Sequence, residues 1–238
     1  MEFSMQLYSL RDETAKDFKS AVKVTGDFGY SGVEFAGFGG LTSGEMNELL
    51  KESNLYAIGS HSGVDIFKNS LEEELQYLKD VGAKYMICPW AKYESIDDVN
   101  AICEMLNTAA EVAKKYDIKV GYHNHDQEFE KIDGKYILDL IAENTSDDVI
   151  LELDVYWASY ADVCPFEYIK KMGKKIELIH IKQIGDEKKN VDVPDGKIDV
   201  PELIKTAQYA KYFIVEQEHY AVSPLDSAKR NAEYLKTV

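Results

Sequence analysis

Short apolar runs alternate with amphipathic stretches along the whole chain. Runs rich in Val, Ile, Leu, Tyr and Phe predict strands at 3–8 (FSMQLY), 32–35 (GVEF), 56–60 (YAIGS), 84–88 (KYMIC), 118–123 (IKVGYH), 149–154 (VILELD), 176–182 (IELIHIK) and 212–217 (YFIVEQ). Each gap between them has room for a helix, and the helices carry start signals. In NSLEEELQYLKDVG, Leu71, Leu75 and Leu78 recur at helical spacing with acids opposite, and Asn69 with Glu72 reads as a capping box. Thr42 with Glu45 repeats the pattern. Val99, Ile102, Leu106, Ala109 and Ala113 form one face of a long helix capped by Ser95, and Asp199 and Ser223 precede proline as further caps.

Eight strands alternating with helices predict parallel pairing, because parallel neighbours need a crossover between them. Two closures compete, a doubly wound open sheet and a closed eightfold barrel. The strand count, and the lack of a G-x-G-x-x-G after the first strand, favour a single (β/α)8 TIM barrel spanning residues 1–238 as one domain. The polar stretch QIGDEKKNVDVPDGKIDVPE after the seventh strand reads as a lid.

Composition narrows the partners. A net charge of -16 argues against nucleic acid or an anionic membrane, both of which attract basic surfaces. The three cysteines, Cys88, Cys103 and Cys164, form no C-x-x-C pair and suit a reducing compartment. No basic-then-apolar leader opens the chain, and no apolar run approaches the roughly 18 residues of a membrane span. The expectation is a cytoplasmic protein, monomeric or homodimeric.

In such a barrel, chemistry gathers where strands end. Gln6 and Arg11 follow the first strand, Glu34 ends the second, His61 follows the third and Trp90 the fourth. His123 and His125 close the fifth, Asp154 ends the sixth, His180 and Lys182 close the seventh, and Glu216 and Glu218 the eighth. Four of the five histidines therefore sit at strand ends. An ionisable group inside runs such as VILELD or IELIHIK costs several kcal/mol unless partnered. A divalent cation is one such partner, and Asp154, His180 and Glu216, from adjacent strands, form a candidate triad for it. A structural ion pair or a hydrogen-bonded core histidine is the competing reading for each.

The stretches MQLYSLRDE, GYSGVEFAGFGG, AKYMICPW, GYHNHDQEFE, LELDVYW, IHIKQ and IVEQE together resemble the sugar phosphate isomerase/epimerase family with a xylose-isomerase-like barrel, which includes inosose dehydratases and ketose epimerases. The resemblance covers essentially the whole chain. It implies a divalent metal ion (manganese, cobalt, magnesium or zinc) held by acids and a histidine from strands five to eight. Asp154, His180 and Glu216 match three of those positions. The fourth is usually a glutamate; HNH places His123 there, and a shifted alignment places Glu128 there instead. In the family's epimerases the strand-five and strand-eight glutamates share the proton transfers, so this departure bears on the chemistry.

The expected reaction is isomerisation or epimerisation of a sugar or a polyol-derived ketone, through loss of a proton next to a carbonyl and an enediolate. Glu216 is the expected base by family position, with His125 and Lys182 as alternatives; a histidine with pKa about 6.5 exchanges protons at neutral pH. Glu34, His61 and Trp90 are expected to orient substrate, with Tyr156 or Trp157 as further wall. With His123 in place of a glutamate, elimination by a lyase or dehydratase competes. Two other classes are a metal-dependent endonuclease, opposed by the acidic charge, and a non-catalytic sugar-binding module.

Overall fold

The computed structural model describes residues 1–238. Eight parallel strands close into a barrel: β1 (Ser4–Gln6), β2 (Gly32–Phe35), β3 (Tyr56–His61), β4 (Tyr85–Cys88), β5 (Lys119–His123), β6 (Val149–Asp154), β7 (Ile176–Ile181) and β8 (Tyr212–Val215). Each pairs with its neighbours in sequence, and β1 pairs with both β2 and β8 to complete the closure. All eight fall on the apolar runs, because a strand covered on both faces needs near-continuous apolar sequence.

Alternation along each strand divides the interior in two. Outward residues such as Leu151, Leu153, Ile179 and Ile181 join a core of 57 buried residues shared with the surrounding helices. Inward residues form a smaller plug inside the barrel: Ile58, Tyr85, Ile87, Ile150, Leu178 and Ile214. Gly121 belongs to this plug, because a Cβ there would lie 2.6 Å from both Ile150 Cδ1 and Ile87 Cδ1. Beyond the plug, toward the strand C-termini, inward positions turn polar: Gln6, Glu34, Glu152 and His180, then Asp154 and Glu216.

The caps at Thr42, Ser95, Asp199 and Ser223 form as the sequence predicts, each side chain accepting from the backbone three residues on. Asn69 does not cap. It ends a short helix, Val64–Asn69, and the helix Leu71–Asp80 starts after Ser70 without a side-chain cap. The stretch after β7 is likewise no free lid. Gln183–Ile184 pairs antiparallel with Asn190–Val191, and the buried Asp192 accepts from Gln217 Nε2 at 2.7 Å and Arg230 at 3.0 Å. The turn at 186–189 is the longest exposed run in this stretch.

Candidate active site at the C-terminal mouth of the barrel

His123 at the end of β5, Asp154 at the end of β6, His180 on β7 and Glu216 just after β8 converge. One ligand atom from each lies within 4.8 Å of all the others, and all four residues are buried. His180 Nδ1 lies 3.2 Å from Glu216 Oε2. Asp154 uses Oδ1 to accept from the backbone N–H of Trp157 at 3.0 Å, capping the helix that leaves β6, whereas its buried Oδ2 has no hydrogen-bond partner. Asn124, between the two histidines of HNH, accepts from the Asp154 backbone N–H at 3.0 Å and so ties β5 to β6 at this level.

Lys182 enters the same space. Its Nζ donates to Glu216 Oε2 at 3.3 Å, bonds Glu218, and stands 3.7 Å from Asp154 Oδ2, too far for a hydrogen bond. The ammonium also lies 4.9 Å from the Trp157 ring centre. Burial alone would lower its pKa, but Glu216, Asp154 and Glu218 raise it above the ordinary lysine value, so it stays charged. A charged ammonium donates hydrogen bonds, here to Glu216 and Glu218.

A second ring of polar residues lies beneath. Glu34 Oε2 accepts from Gln6 Nε2 and pairs with His180 Nε2, both at 2.8 Å. Glu152 Oε2 pairs with His61 Nε2 at 2.6 Å and His123 Nδ1 at 3.2 Å. Both carboxylates are fully buried and neither is on the cavity wall. Glu152 escaped the strand-end reading although VILELD contains its signal: it stands two residues before Asp154 and therefore on the same face.

The mouth above these rings holds a cavity of about 430 Å³ whose walls include Tyr8, Trp90, His123, His125, Glu216 and Glu218. His61 also reaches it. Trp90 is 52% exposed, so its ring is free to meet a ligand and is not core filler. A larger cavity of about 680 Å³, lined by Lys84, Lys119 and Glu177 among others, opens at the opposite end and contains none of these residues.

Burial sets the charge states. It pushes Asp154 up to about 7, with Lys182 opposing. It would also raise Glu216, but Lys182 and His180 hold that carboxyl well below the usual range. His123 is pushed well below the ordinary histidine value by burial, which leaves it neutral. Burial also takes His125 down to about 4, not the 6.5 of a free imidazole, and its Nδ1 has no partner. Glu128 accepts from Tyr122 at 2.7 Å, Gln127 at 2.9 Å and the His125 backbone at 2.7 Å. Those bonds take it out of the converging group, and His123 occupies the β5 position.

Residues 2–238 match the family model described as a xylose isomerase-like TIM barrel. The chain belongs to this family. The barrel is similar to a sugar phosphate isomerase/epimerase from Parabacteroides distasonis, at 25% identity and TM-score 0.83 over 100% of this chain and 94% of the other. It also superposes on the 3-keto-D-glucoside 4-epimerase of E. coli, at 17% identity and TM-score 0.77 over 100% of each chain. The probable 3-DHS dehydratase of Bacillus anthracis matches at 15% identity and TM-score 0.77 over 99% of each chain. At those identities the last two show the fold alone. No curated protein matches the sequence.

The donor set of this xylose isomerase-like barrel fits a divalent ion. Two imidazoles and two carboxylates converge, one carboxylate oxygen, Asp154 Oδ2, is buried without a bond, and the mixed nitrogen and oxygen donors suit zinc, manganese or cobalt. Charge points the same way: Glu34, Glu152, Asp154 and Glu216 are all buried, with Lys182 the one lysine or arginine among them. Buried anions without a counter-charge are costly, and histidine protons or a bound cation must balance them.

Proposed function

We propose that the protein is a divalent-metal-dependent isomerase or epimerase of a small keto-sugar or polyol-derived ketone. The observation that carries this reading is the convergence of His123, Asp154, His180 and Glu216 on one point at the floor of an open cavity. Bound there, the ion would supply positive charge that polarises a substrate carbonyl and makes the neighbouring C–H more acidic. Glu216, ionised and facing the cavity, takes that proton on a carboxylate oxygen, leaving the substrate as an enediolate. Glu216, now carrying that proton, returns it to the neighbouring carbon to complete the isomerisation, while His125, neutral and with Nδ1 unbonded, lines the same cavity and can hydrogen-bond a substrate hydroxyl. Lys182 holds Glu216 in its charged form. Trp90 and Tyr8 offer aromatic faces to sugar C–H groups and keep water off one side.

A second reading, a lyase or dehydratase acting on the same class of ketone, has a specific observation behind it. The carboxylates on the cavity wall are Glu216 and Glu218, both bonded to Lys182, and β5 contributes an imidazole instead of a second acid. A single base that carries the abstracted proton can pass it to a leaving β-hydroxyl, releasing water, as well as return it to carbon. Nucleic acid and membrane are not proposed as partners: the charge of -16 repels both, and no helix is long and apolar enough to cross a membrane.

Elemental analysis of the purified protein, followed by a screen of keto-sugars and inosose-like ketones in deuterated water, tests the proposal. The expected result is one divalent ion per chain, chelator-sensitive turnover, and deuterium at a carbon next to the carbonyl. Turnover that survives full chelation, or product without exchange, would sink it. Water release from the substrate would select the lyase. Glu216→Gln is expected to lower kcat by about 10²-fold or more, as loss of a positioned base does.

A further inference from the structure

A neutral imidazole carries one proton on two nitrogens, so a ring that gives a lone pair to a cation must donate from its other nitrogen. In His180 the two nitrogens face opposite ways. Nδ1 lies 3.2 Å from Glu216 Oε2 in the upper group, and Nε2 lies 2.8 Å from Glu34 Oε2 in the lower ring. In His123, Nδ1 lies 3.2 Å from Glu152 Oε2, also in the lower ring. Glu34 and Glu152 contact no lysine or arginine. Their partners are Gln6, His61, His123 and His180, and both are wholly buried beneath the cavity.

We infer that Glu152 and Glu34 are positioning residues: Glu152 fixes the His123 proton on Nδ1 and Glu34 fixes the His180 proton on Nε2. His123 Nε2 and His180 Nδ1 then carry the lone pairs for a single cation. The inference rests on the reading above that a cation binds at this mouth. His61, whose Nε2 stands 2.6 Å from Glu152 Oε2 and 3.4 Å from Glu34 Oε2, bridges the two acids and holds them apart.

The lower ring has an obvious rival use, because ligand atoms of His61, His123, Glu152 and His180 also lie within 4.8 Å of one another. A second ion there would claim His123 Nδ1 and His180 Nε2 while the first claims the opposite nitrogen of each ring. Both imidazoles would have to lose their last proton. One proton per ring permits one ion, and the carboxylates below are its orienting acceptors.

Zinc(II) titration of the full chain, with chelator competition and long-range ¹H–¹⁵N spectra of the histidines, decides the matter. The expected result is one zinc per chain, with His123 protonated at Nδ1 and His180 at Nε2. Glu152→Ala is expected to weaken zinc binding by about 10–100-fold at unchanged stoichiometry. Glu152→Gln, which keeps an acceptor oxygen, should restore the His123 tautomer and part of the affinity, a rescue that a mere packing defect would not show. If Glu152→Ala does not fold, the wild-type tautomers and Glu152→Gln still decide. Two zinc ions per chain, the reverse tautomers, or wild-type affinity in Glu152→Ala would overturn the inference and leave the centre standing. A wild-type protein that takes up no zinc would remove the centre and the inference together.

Discussion

Asp154 puts its two carboxylate oxygens to different uses. Oδ1 caps the helix leaving β6 and Oδ2 faces the converging donors without a hydrogen bond. Burial raises its pKa from the ordinary 3.8 to about 7. The unfolded chain therefore gives up this proton before the folded one does. The associated stability is fully present below about pH 4 and is lost as pH rises through 7. Metal-free Asp154→Asn is accordingly expected to gain in melting temperature relative to metal-free wild type between pH 4 and 7, while losing stoichiometric zinc binding. A constant difference across that range would contradict the burial argument. Trp90→Ala is expected to leave stability within about 0.5 kcal/mol, the ordinary range for an exposed position. The same change should raise KM roughly fivefold, as loss of an aromatic contact worth about 1 kcal/mol does. At this scale His123, Asp154, His180 and Glu216 were legible as polar residues ending apolar runs. Glu34 was also seen, but its place beneath the floor was not, because depth within a barrel depends on how strands stagger.

Strands make the site by alternation. On β6 the inward series Ile150, Glu152, Asp154 passes from apolar plug to lower carboxylate to upper carboxylate, while Leu151 and Leu153 point to the helices. The plug is the rigid base on which both polar rings stand. Gly121→Ala is therefore expected to cost about 1–3 kcal/mol in denaturant unfolding, the usual penalty of overpacking, because the new methyl meets Ile150 and Ile87 at 2.6 Å. Unchanged stability would mean that the plug can shift. The lid expectation failed at this scale for a physical reason. Polar sequence after β7 reads as mobile, yet Gln183, Asn190 and Asp192 are buried and hydrogen-bonded to Ile198, Gln183 and Gln217 respectively. Those bonds spend the polarity on the protein's own backbone and neighbours.

Across the whole molecule the two barrel ends differ in kind. The C-terminal mouth gathers buried acids and four histidines, whereas the opposite cavity is lined by paired surface charges such as Lys84 with Asp117 and Lys119 with Glu177. A cation bound only by the folded form stabilises it by mass action, about 2.7 kcal/mol at a hundredfold excess over Kd. Zinc or manganese addition is thus expected to raise the melting temperature, and a chelator to reverse it. No shift at saturating metal would argue against the centre.

What the amino-acid order determined by itself was periodicity: eight apolar runs, the helices between them, most of the caps, and polar side chains at strand ends. These are local properties, set by side-chain spacing and backbone geometry within a few residues. Only the closed barrel decided that His123, Asp154, His180 and Glu216 meet within 4.8 Å, that Glu128 turns away, and that Glu152 reaches His61 and His123 from below. Those outcomes depend on strand stagger and on the depth of each residue inside the barrel, which join positions up to 146 residues apart, as Glu34 and His180 are. The same burial that brings them together sets their protonation, and a list of residues does not contain it.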